Sequence, residues 1–144
     1  MLRCLNGEIW AADGSGLCKY NGSTWEAFTT SNSGIPSDYV LDVATGSDSV
    51  IWIATDAGVG KLYNSIWTIY DTTNTPFTTT NISAIDVDEN NHVWVATLDN
   101  NLAGSAAAEI FMFDGINWNT FPTAVYPGDQ INVIHCVTND NVSH

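Results

Sequence analysis

Basic residues are scarce in this chain. Its 144 residues include three Lys and Arg against 16 Asp and Glu, which gives a formal net charge of −13 at pH 7. Proteins that hold nucleic acid or anionic lipid headgroups need Lys and Arg to displace the counterions of the phosphates. The composition therefore predicts that the chain binds no nucleic acid and no anionic membrane surface. We expect its acidic surface to serve solubility.

Long apolar runs are missing as well. No stretch of the sequence approaches the length of a membrane-spanning helix, so we expect no membrane insertion. The segment Met1–Trp10 includes Arg3 and Glu8 and lacks the apolar stretch of a signal peptide. The sequence thus predicts either a protein that is not exported or one whose natural N-terminus lies upstream.

Metal-ligand and catalytic patterns are also absent from the sequence. Its cysteines and histidines have no zinc-site spacing; they are Cys4, Cys18, Cys136, His92, His135 and His144. The sequence has no Gly-x-Ser-x-Gly elbow, no phosphate-binding glycine loop and no His-Glu-x-x-His motif. It therefore predicts no catalytic residue, no metal site and no cofactor. The odd number of cysteines leaves the redox compartment open.

The sequence is instead rich in one repeated pattern. Three strand-like segments share an Ile-Trp or Val-Trp centre, namely Ile9–Ala12, Ile51–Thr55 and Val93–Thr97. Their tryptophans are 42 residues apart in both intervals (52 − 10 and 94 − 52). Such a fixed period is the signature of an architecture built from stacked repeats.

A second tryptophan series keeps the same register. Trp25, Trp67 and Trp118 follow the first series at distances of 15, 15 and 24 residues, so the third copy carries nine extra residues (24 − 15). We place this insertion within Leu98–Glu109. An aromatic residue and a turn precede each of these tryptophans; the aromatic residues are Tyr20, Tyr63 and Phe113. We expect all six tryptophans to pack between neighbouring repeats.

Each repeat contains four short segments that are rich in β-branched and aromatic residues and separated by turn residues. Four strands in about 42 residues is the size of a propeller blade. The sequence predicts an all-β fold, a β-propeller segment of about three four-stranded antiparallel blades that spans residues 1–144. The repeat units are approximately 1–39, 40–81 and 82–130, and a further unit starts at 131–144.

Three blades are too few to close a ring, because propellers typically have four to eight. We therefore expect the chain to be part of a larger ring. Self-association through the terminal strands is the rival: the chain begins at the end of an innermost strand, and the strand Ile131–Val137 would complete the first blade of a partner chain. Cys136 would then lie near Cys4 of the partner subunit, within reach of a disulfide.

At these residues the sequence resembles the two-component regulator propeller repeat. The units of that family run as a short strand, an Asn/Asp/Gly turn, an Ile-Trp-Ile-Gly-Thr-like strand, a Gly-Leu strand that ends in an aromatic residue, and a Trp-Thr-x-Tyr strand. The matching segments are Asn6–Trp10, Ile51–Asp56, Trp67–Tyr70 and the linker Asn32–Val40. The chain departs from the family at Ala54 and Ala96, which stand where Gly is usual.

The resemblance implies a non-enzymatic module for ligand sensing or protein interaction. In that family the propellers commonly form the extracytoplasmic sensor part of bacterial hybrid histidine kinases, and they also occur in surface proteins. The resemblance thus implies a periplasmic or extracellular location. It implies as partner a glycan or another polar small ligand, or a protein. These residues contain no kinase, receiver or DNA-binding segment.

We expect the ligand at the edge of the blades that carries the inter-blade linkers and the loops between second and third strands. The inserted segment Asn100–Ala108 belongs to this edge, and loops of this kind often carry function. The candidate ligand-binding residues are Tyr39, Asp56, Asp99, Tyr126 and His135. Their side chains suit stacking and hydrogen bonding to a polar ligand such as a sugar.

Other interpretations stay open. Streptogramin lyases are also propellers, and they act through a metal-assisted His and Glu in the channel, towards which this chain offers only His135 and Asp86. The segment Asp86–His92 resembles the start of a calcium loop but lacks its central Gly and closing Glu, so we expect a hairpin turn there. A structural spacer of a surface protein would need no pocket at all.

Overall fold

The computed structural model describes residues 2–97 and 108–121, and nearly all regular structure in these ranges is β-strand. The strands form three four-stranded antiparallel sheets, each with its strands in chain order. Sheet 1 contains β1 (Leu2–Leu5), β2 (Glu8–Ala12), β3 (Leu17–Tyr20) and β4 (Trp25–Phe28). Sheet 2 contains β5 (Val40–Thr45), β6 (Ile51–Thr55), β7 (Gly58–Tyr63) and β8 (Ile66–Tyr70). Sheet 3 contains β9 (Ile82–Val87), β10 (Val93–Thr97), β11 (Ile110–Phe113) and β12 (Trp118–Phe121).

The predicted all-β fold of four-stranded antiparallel blades is confirmed. The sheets stack face against face, and we call the face that points toward the preceding sheet the leading face and the opposite one the trailing face. No described sheet precedes sheet 1. Its leading face is therefore the face whose residues match, by strand register, the leading faces of sheets 2 and 3. At the first junction Trp10 packs with Ile53, and at the second Trp52 packs in one cluster with Phe113. Each such side chain stabilises the stack by about 1.5–3 kcal/mol on burial.

The expectation that all six tryptophans pack between repeats is confirmed for four of them within the described residues and is wrong for Trp25. Trp10 and Trp52 are 4% and 3% exposed, and Trp67 and Trp118 pack against the two apolar clusters. Trp25, in contrast, is 60% exposed. The reason is its position on the leading face of sheet 1, which precedes the other sheets in the stack.

The start of the chain bears on the expected self-association. Sheet 1 already has an innermost strand, because β1 pairs with β2 from Leu2 opposite Ala11 to Leu5 opposite Glu8. The place that Ile131–Val137 of a partner was expected to fill is therefore occupied by β1. The expected strand Ile131–Val137, and Cys136 with it, lies outside the described ranges, whereas Cys4 and Cys18 are free thiols.

The chain order gives each sheet two different edges. Turns that join first to second and third to fourth strands lie at one edge, the hairpin edge, and the linkers and second-to-third loops lie at the other, the linker edge. At the hairpin edge the Asn6 amide donates to Ser49 Oγ at 2.8 Å, and the Ser47 N–H donates to Asn91 Oδ1 at 2.8 Å. These bonds connect the turns of successive sheets.

The first linker is held by an asparagine. Asn32 Oδ1 accepts the backbone N–H of Thr29 at 2.8 Å, and its amide group donates to the Ala27 carbonyl at 2.9 Å. Asn74 makes the same two kinds of bond in the second linker, both at 2.9 Å. The side chain thus replaces the strand partner that the chain loses when it leaves a sheet. The repeat therefore extends through segments that the sequence showed only as polar loops.

The threonine that ends the Ile-Trp motif closes the loop that follows it. The buried Thr55 hydroxyl donates to the Gly58 carbonyl at 2.8 Å. In sheet 3, Thr97 Oγ1 accepts the backbone N–H of Glu109 at 3.1 Å. Since β10 ends at Thr97 and β11 begins at Ile110, the insertion lies where the sequence placed it. Thr97 holds the base of this longer loop together.

Asp42 is a buried carboxylate that joins two sheets. It is 3% exposed, and it accepts the N–H of Val43 at 2.9 Å and the N–H of Ile85 in sheet 3 at 3.1 Å. Burial raises the pKa of this carboxyl group, although the two amides and the charge of Arg3 act in the opposite direction. Asp42 therefore links the innermost strands β5 and β9 in addition to the apolar packing.

Candidate functional site

Two of the five predicted ligand-binding residues lie in the described ranges, both at the linker edge. Tyr39 is 52% exposed, and its ring lies over Gly14, where an added Cβ would be 3.6 Å from Tyr39 Cε2. Asp56 is exposed, and its backbone carbonyl accepts the hydroxyl of Thr80 at 3.0 Å. The two residues belong to successive junctions of that edge. Asp99, Tyr126 and His135 lie outside the described residues.

The innermost strands carry an ion pair where the sequence suggested acid–base chemistry. Arg3, Ala44 and Asp86 occupy the same register position, each opposite the tryptophan of its second strand. Ala44 is fully buried in the second junction and does not face a channel. Arg3 Nη2 lies 3.9 Å from Asp86 Oδ1, so this carboxylate has a cationic neighbour inside the chain.

The segment Asp86–His92 contains the end of β9 and the hairpin turn Asp88–His92, so the predicted turn is confirmed. The Asp88 carboxylate accepts the N–H groups of Asn90 and His92, both at 2.9 Å, and the indole N–H of Trp94 at 2.9 Å. Its oxygens thus accept hydrogen bonds from donors of the turn and of the following strand β10. No group of three or more metal-ligating side chains occurs within residues 2–97 and 108–121. In sheet 1 the turn is shorter, and the buried indole N–H of Trp10 has no such acceptor among the described residues.

The bonds to Asp88 lead to a pH prediction. Partial burial opposes ionisation, but the indole of Trp94 and the amides of His92 and Asn90 lower the pKa of Asp88 below the ordinary 3.8. A pKa that is lower in the folded state stabilises the fold above about pH 4, and this contribution is lost as the pH falls through the folded value. Asp88→Ala is therefore expected to reduce the free energy of unfolding at pH 7 by about 1–2 kcal/mol.

Thermal unfolding at pH 7 and below pH 3.8 tests this expectation. The difference in Tm between the parent and Asp88→Ala should shrink at the lower pH. Glu89→Ala is the matched control, because Glu89 is an exposed acid in the same turn. A difference in Tm that stays constant with pH would show that the carboxylate acts only through packing.

A cleft of about 880 Å³ opens between sheets 1 and 2. Its walls include the aromatic rings of Trp10, Phe28 and Trp67. Asn64 and Ser65 contribute polar groups from the β7–β8 turn, and both have positive φ angles, 49° and 64°. We call this feature the interblade cleft. Neither Tyr39 nor Asp56 lines it.

The cleft follows from a single register difference. The sequence aligned Tyr63 with Tyr20 and Phe113 as the aromatic residue before the turn. In the structure Leu62 takes that place, since Tyr20, Leu62 and Phe113 each pair with the second tryptophan of their sheet. Sheet 2 adds one more pair, Tyr63 opposite Ile66, before a tighter turn. Alternation along the strand therefore places Tyr63 on the other face, and a smaller leucine remains at the junction.

The second junction shows what a larger side chain does at this position. The ring of Phe113 lies 5.8 Å from Trp52, 5.6 Å from Tyr70 and 5.1 Å from Trp118, measured between centroids. Phe77 closes the same cluster, with its ring 4.8 Å from that of Trp118. The two junctions share their backbone plan but differ in side-chain volume. The sequence did contain a signal for this difference. Leu62, and not Tyr63, has the same spacing to the second tryptophan of its repeat as Tyr20 and Phe113 have in theirs.

Two charged groups of the cleft wall, Lys19 and Glu8, form an ion pair. Lys19 Nζ lies 3.0 Å from Glu8 Oε1 and 5.5 Å from the centre of the Trp10 ring. This arrangement fixes an ammonium group over an indole at the side of the cleft. Together with the carboxylate of Glu26 and the hydroxyl of Ser33, it offers both donors and acceptors to a ligand.

Comparison with known proteins shows the fold. No protein-family model and no curated protein matches the sequence. The structure is similar to the extracellular domain of BT3049 from B. thetaiotaomicron, named as a hybrid two component system, with 20% sequence identity over 85% of this chain and a TM-score of 0.67. It is also similar to PorZ of Porphyromonas gingivalis, described as an essential surface component of the type-IX secretion system, with 19% identity over 85% of this chain and a TM-score of 0.68.

These likenesses fit the two-component regulator propeller repeat that the sequence motifs indicate. The chain spans 17% of the length of the first of these proteins and 19% of the second. Within residues 2–97 and 108–121 no helix is long and apolar enough to cross a membrane.

Proposed function

We propose that this chain is a non-enzymatic β-propeller segment that recognises a polar ligand, of which glycans are the class that fits best. The interblade cleft is the observation that carries this proposal. It is concave, it lies between two blades, and it combines aromatic surface with many polar side chains, which suits a polar ligand.

The lining of the cleft supports a sugar over an apolar ligand. Sugar rings stack their C–H faces on aromatic rings and exchange hydrogen bonds through their hydroxyls with acids and amides. Trp67 is half-buried and stands edge-on to Phe28 at 6.4 Å, so part of its indole is free to stack. Glu26 is exposed on β4 at the same cleft. A strongly anionic ligand is disfavoured by the net charge of −13.

The proposed setting is extracytoplasmic, either periplasmic or extracellular. The BT3049 structure is the extracellular domain of a hybrid two component system, and PorZ is a bacterial surface component. Both share the blade architecture with this chain. We also propose that the chain is the sensor part of a larger protein, since it covers less than a fifth of the length of BT3049 or of PorZ.

Trp67→Ala tests the proposal. The purified chain is screened on a glycan array, and each hit is titrated by tryptophan fluorescence and calorimetry. The variant is expected to bind at least 10-fold more weakly, because it removes the stacking surface, which is worth about 0.5–1.5 kcal/mol beyond area burial. Glu26→Gln should reduce affinity by a smaller factor. Ile116→Ala is the control, because Ile116 is 85% exposed in a turn away from the cleft.

The predicted residues of the linker edge give the contrasting result. If binding is lost in Tyr39→Ala or Asp56→Ala but unchanged in Trp67→Ala, the site is at the linker edge and the cleft is not the site. Alanine variants of Asp99, Tyr126 and His135 are tested by the same titration. For the lyase alternative, stoichiometric magnesium binding that disappears in His135→Ala would contradict the non-enzymatic assignment.

A further inference from the structure

One wall of the interblade cleft already holds a cation, which belongs to the chain itself. The ammonium group of Lys19 lies 3.0 Å from a carboxylate oxygen of Glu8 and 5.5 Å from the centre of the Trp10 ring. All three residues line the cleft. Ion pairing and cation–π attraction thus act on the same ammonium group. An acid beside an indole is therefore a combination that binds a cation on this wall.

The same use of an indole recurs one repeat later. Lys61 follows Lys19 by 42 residues (61 − 19), and its Nζ lies 5.4 Å from the centre of the Trp52 ring. Each lysine is paired in register with the tryptophan of the second strand of its own sheet. In sheet 3 the residue opposite Trp94 is Met112. Both lysines of the chain therefore lie over indoles, and the third strand also accommodates a neutral side chain at this position.

A second acid of the cleft has no cation. Lys19 stands between Trp10 and Glu26 in one cross-strand row. Its ammonium group nevertheless pairs with Glu8. Within the described part of the chain, the Glu26 carboxylate has no ion-pair or hydrogen-bond partner. Two acids and one lysine line the cleft, so its wall carries a net charge of −1 (−2 + 1), and Glu26 is the acid that is not neutralised.

An open indole lies across the cleft from this acid. Phe28 is two residues from Glu26 on β4, so both side chains point to the same side of sheet 1, about 7 Å apart along the strand. Trp67 projects from sheet 2, and its ring stands edge-on to Phe28 at 6.4 Å between centroids. Among residues 2–97 and 108–121 no lysine lies over the Trp67 ring. Glu26 and Trp67 are therefore a second pair of acid and indole, without a cation from the chain.

We propose that the cleft binds its sugar through a protonated amino group, held between the Glu26 carboxylate and the Trp67 indole. Lys19 has the same arrangement inside the chain. This inference rests on the proposed function and narrows it to glycans with a free amine, such as those that contain glucosamine. The net charge of −13 favours the approach of such a cation. Asn64 and Ser65, also on the cleft wall, can bond the hydroxyls of the sugar.

A glucosamine disaccharide and the corresponding glucose disaccharide test the inference, because the second has a hydroxyl in place of each amine. Calorimetric titration of the whole chain is expected to give at least fivefold tighter binding of the amine form. Glu26→Gln should lower its affinity to that of the glucose form. Glu89→Gln is the matched control, because it removes the same charge from an exposed residue outside the cleft and should leave the preference unchanged.

Lys19→Met gives an independent test, in which binding is gained. Met112 at the matching position of sheet 3 indicates that the strand accepts this side chain. The change leaves Glu8 and the Trp10 ring without their cation, so the variant is expected to bind the amine form at least fivefold more tightly than the parent chain does. Binding of the glucose form should not change. If the affinity for the amine form does not rise, an acid and an indole of this wall do not form a cation site, and the inference is wrong.

The other outcomes separate this inference from the proposed function. Equal binding of both disaccharides that is lost in Trp67→Ala would identify a site for neutral sugars, so the proposed function would stand and the amine preference would be wrong. A preference that Glu26→Gln and Glu89→Gln reduce equally would come from the total charge of the chain and would also overturn the inference. If neither disaccharide binds, the inference is wrong, and the glycan array decides whether the cleft binds other sugars.

Discussion

Phe111→Ala is expected to lower the free energy of unfolding by about 3–5 kcal/mol. Phe111 is 0% exposed, and its ring lies 4.8 Å from that of Phe77 between the second and third sheets. Removing the ring deletes apolar contact on both sides of a junction and leaves a cavity that strands on either side are too constrained to fill. Because folded proteins are stable by only 5–15 kcal/mol, roughly, this single change removes a large share of the total.

Chemical denaturation followed by circular dichroism measures the effect of Phe111→Ala. Ile116→Ala is the control, because it also removes an apolar side chain. Ile116 is 85% exposed, so its replacement should change the free energy of unfolding by less than about 0.5 kcal/mol. If both variants unfold at the same denaturant concentration, the second junction does not contribute to the measured transition. The stacking of sheets 2 and 3 would then be marginal in solution.

Gly58→Ala is expected to cost about 2–4 kcal/mol although it adds a single methyl group. Gly58 has φ +119°, a conformation that L residues rarely adopt, and an added Cβ would be 2.5 Å from the carbonyl oxygen of Tyr70. That oxygen belongs to the neighbouring strand β8, so it can move only if β7 and β8 separate. Gly16 has the same relation to Phe28 in sheet 1, with φ +136° and a distance of 2.7 Å.

Gly22→Ala separates the two causes. Gly22 also has a positive φ, +97°, but an added Cβ there would have no neighbour within 4 Å. Its replacement should carry only the backbone strain, about 1 kcal/mol. The difference in unfolding free energy between Gly58→Ala and Gly22→Ala therefore measures the close approach of the strands. Equal values would mean that the backbone adjusts around Gly58 and that no clash occurs.

The two glycines also explain part of the repeat motif. The family pattern starts the third strand with Gly-Leu; here Gly16 directly precedes β3, and Gly58 is the first residue of β7. The structure gives the physical reason, which is a carbonyl of the fourth strand at less than van der Waals distance from the place of a Cβ. In sheet 3 the residue before β11 is Glu109, at the end of the insertion. Sheet 3 therefore has a glutamate where the first two sheets have glycine.

The sequence by itself determined the blades. Periodic tryptophans, β-branched segments and turn residues are local signals with a period of 42, and repeats of this size specify four strands and a stacked neighbour. The position of the insertion, the hairpin at Asp88 and the all-β fold follow from the same local pattern. Each depends on residues close in the chain, so spacing alone is sufficient.

Only the tertiary structure decided which surfaces are closed and which are open. The extra strand pair at Tyr63 places the side chain of Leu62 in the first junction, because a one-residue shift exchanges the two faces of a strand. The smaller leucine leaves the interblade cleft open. Trp25 has the same sequence surroundings as Trp67, yet it is 60% exposed, because burial depends on which sheet precedes it. Those outcomes depend on contacts between distant residues, which a repeat pattern does not encode.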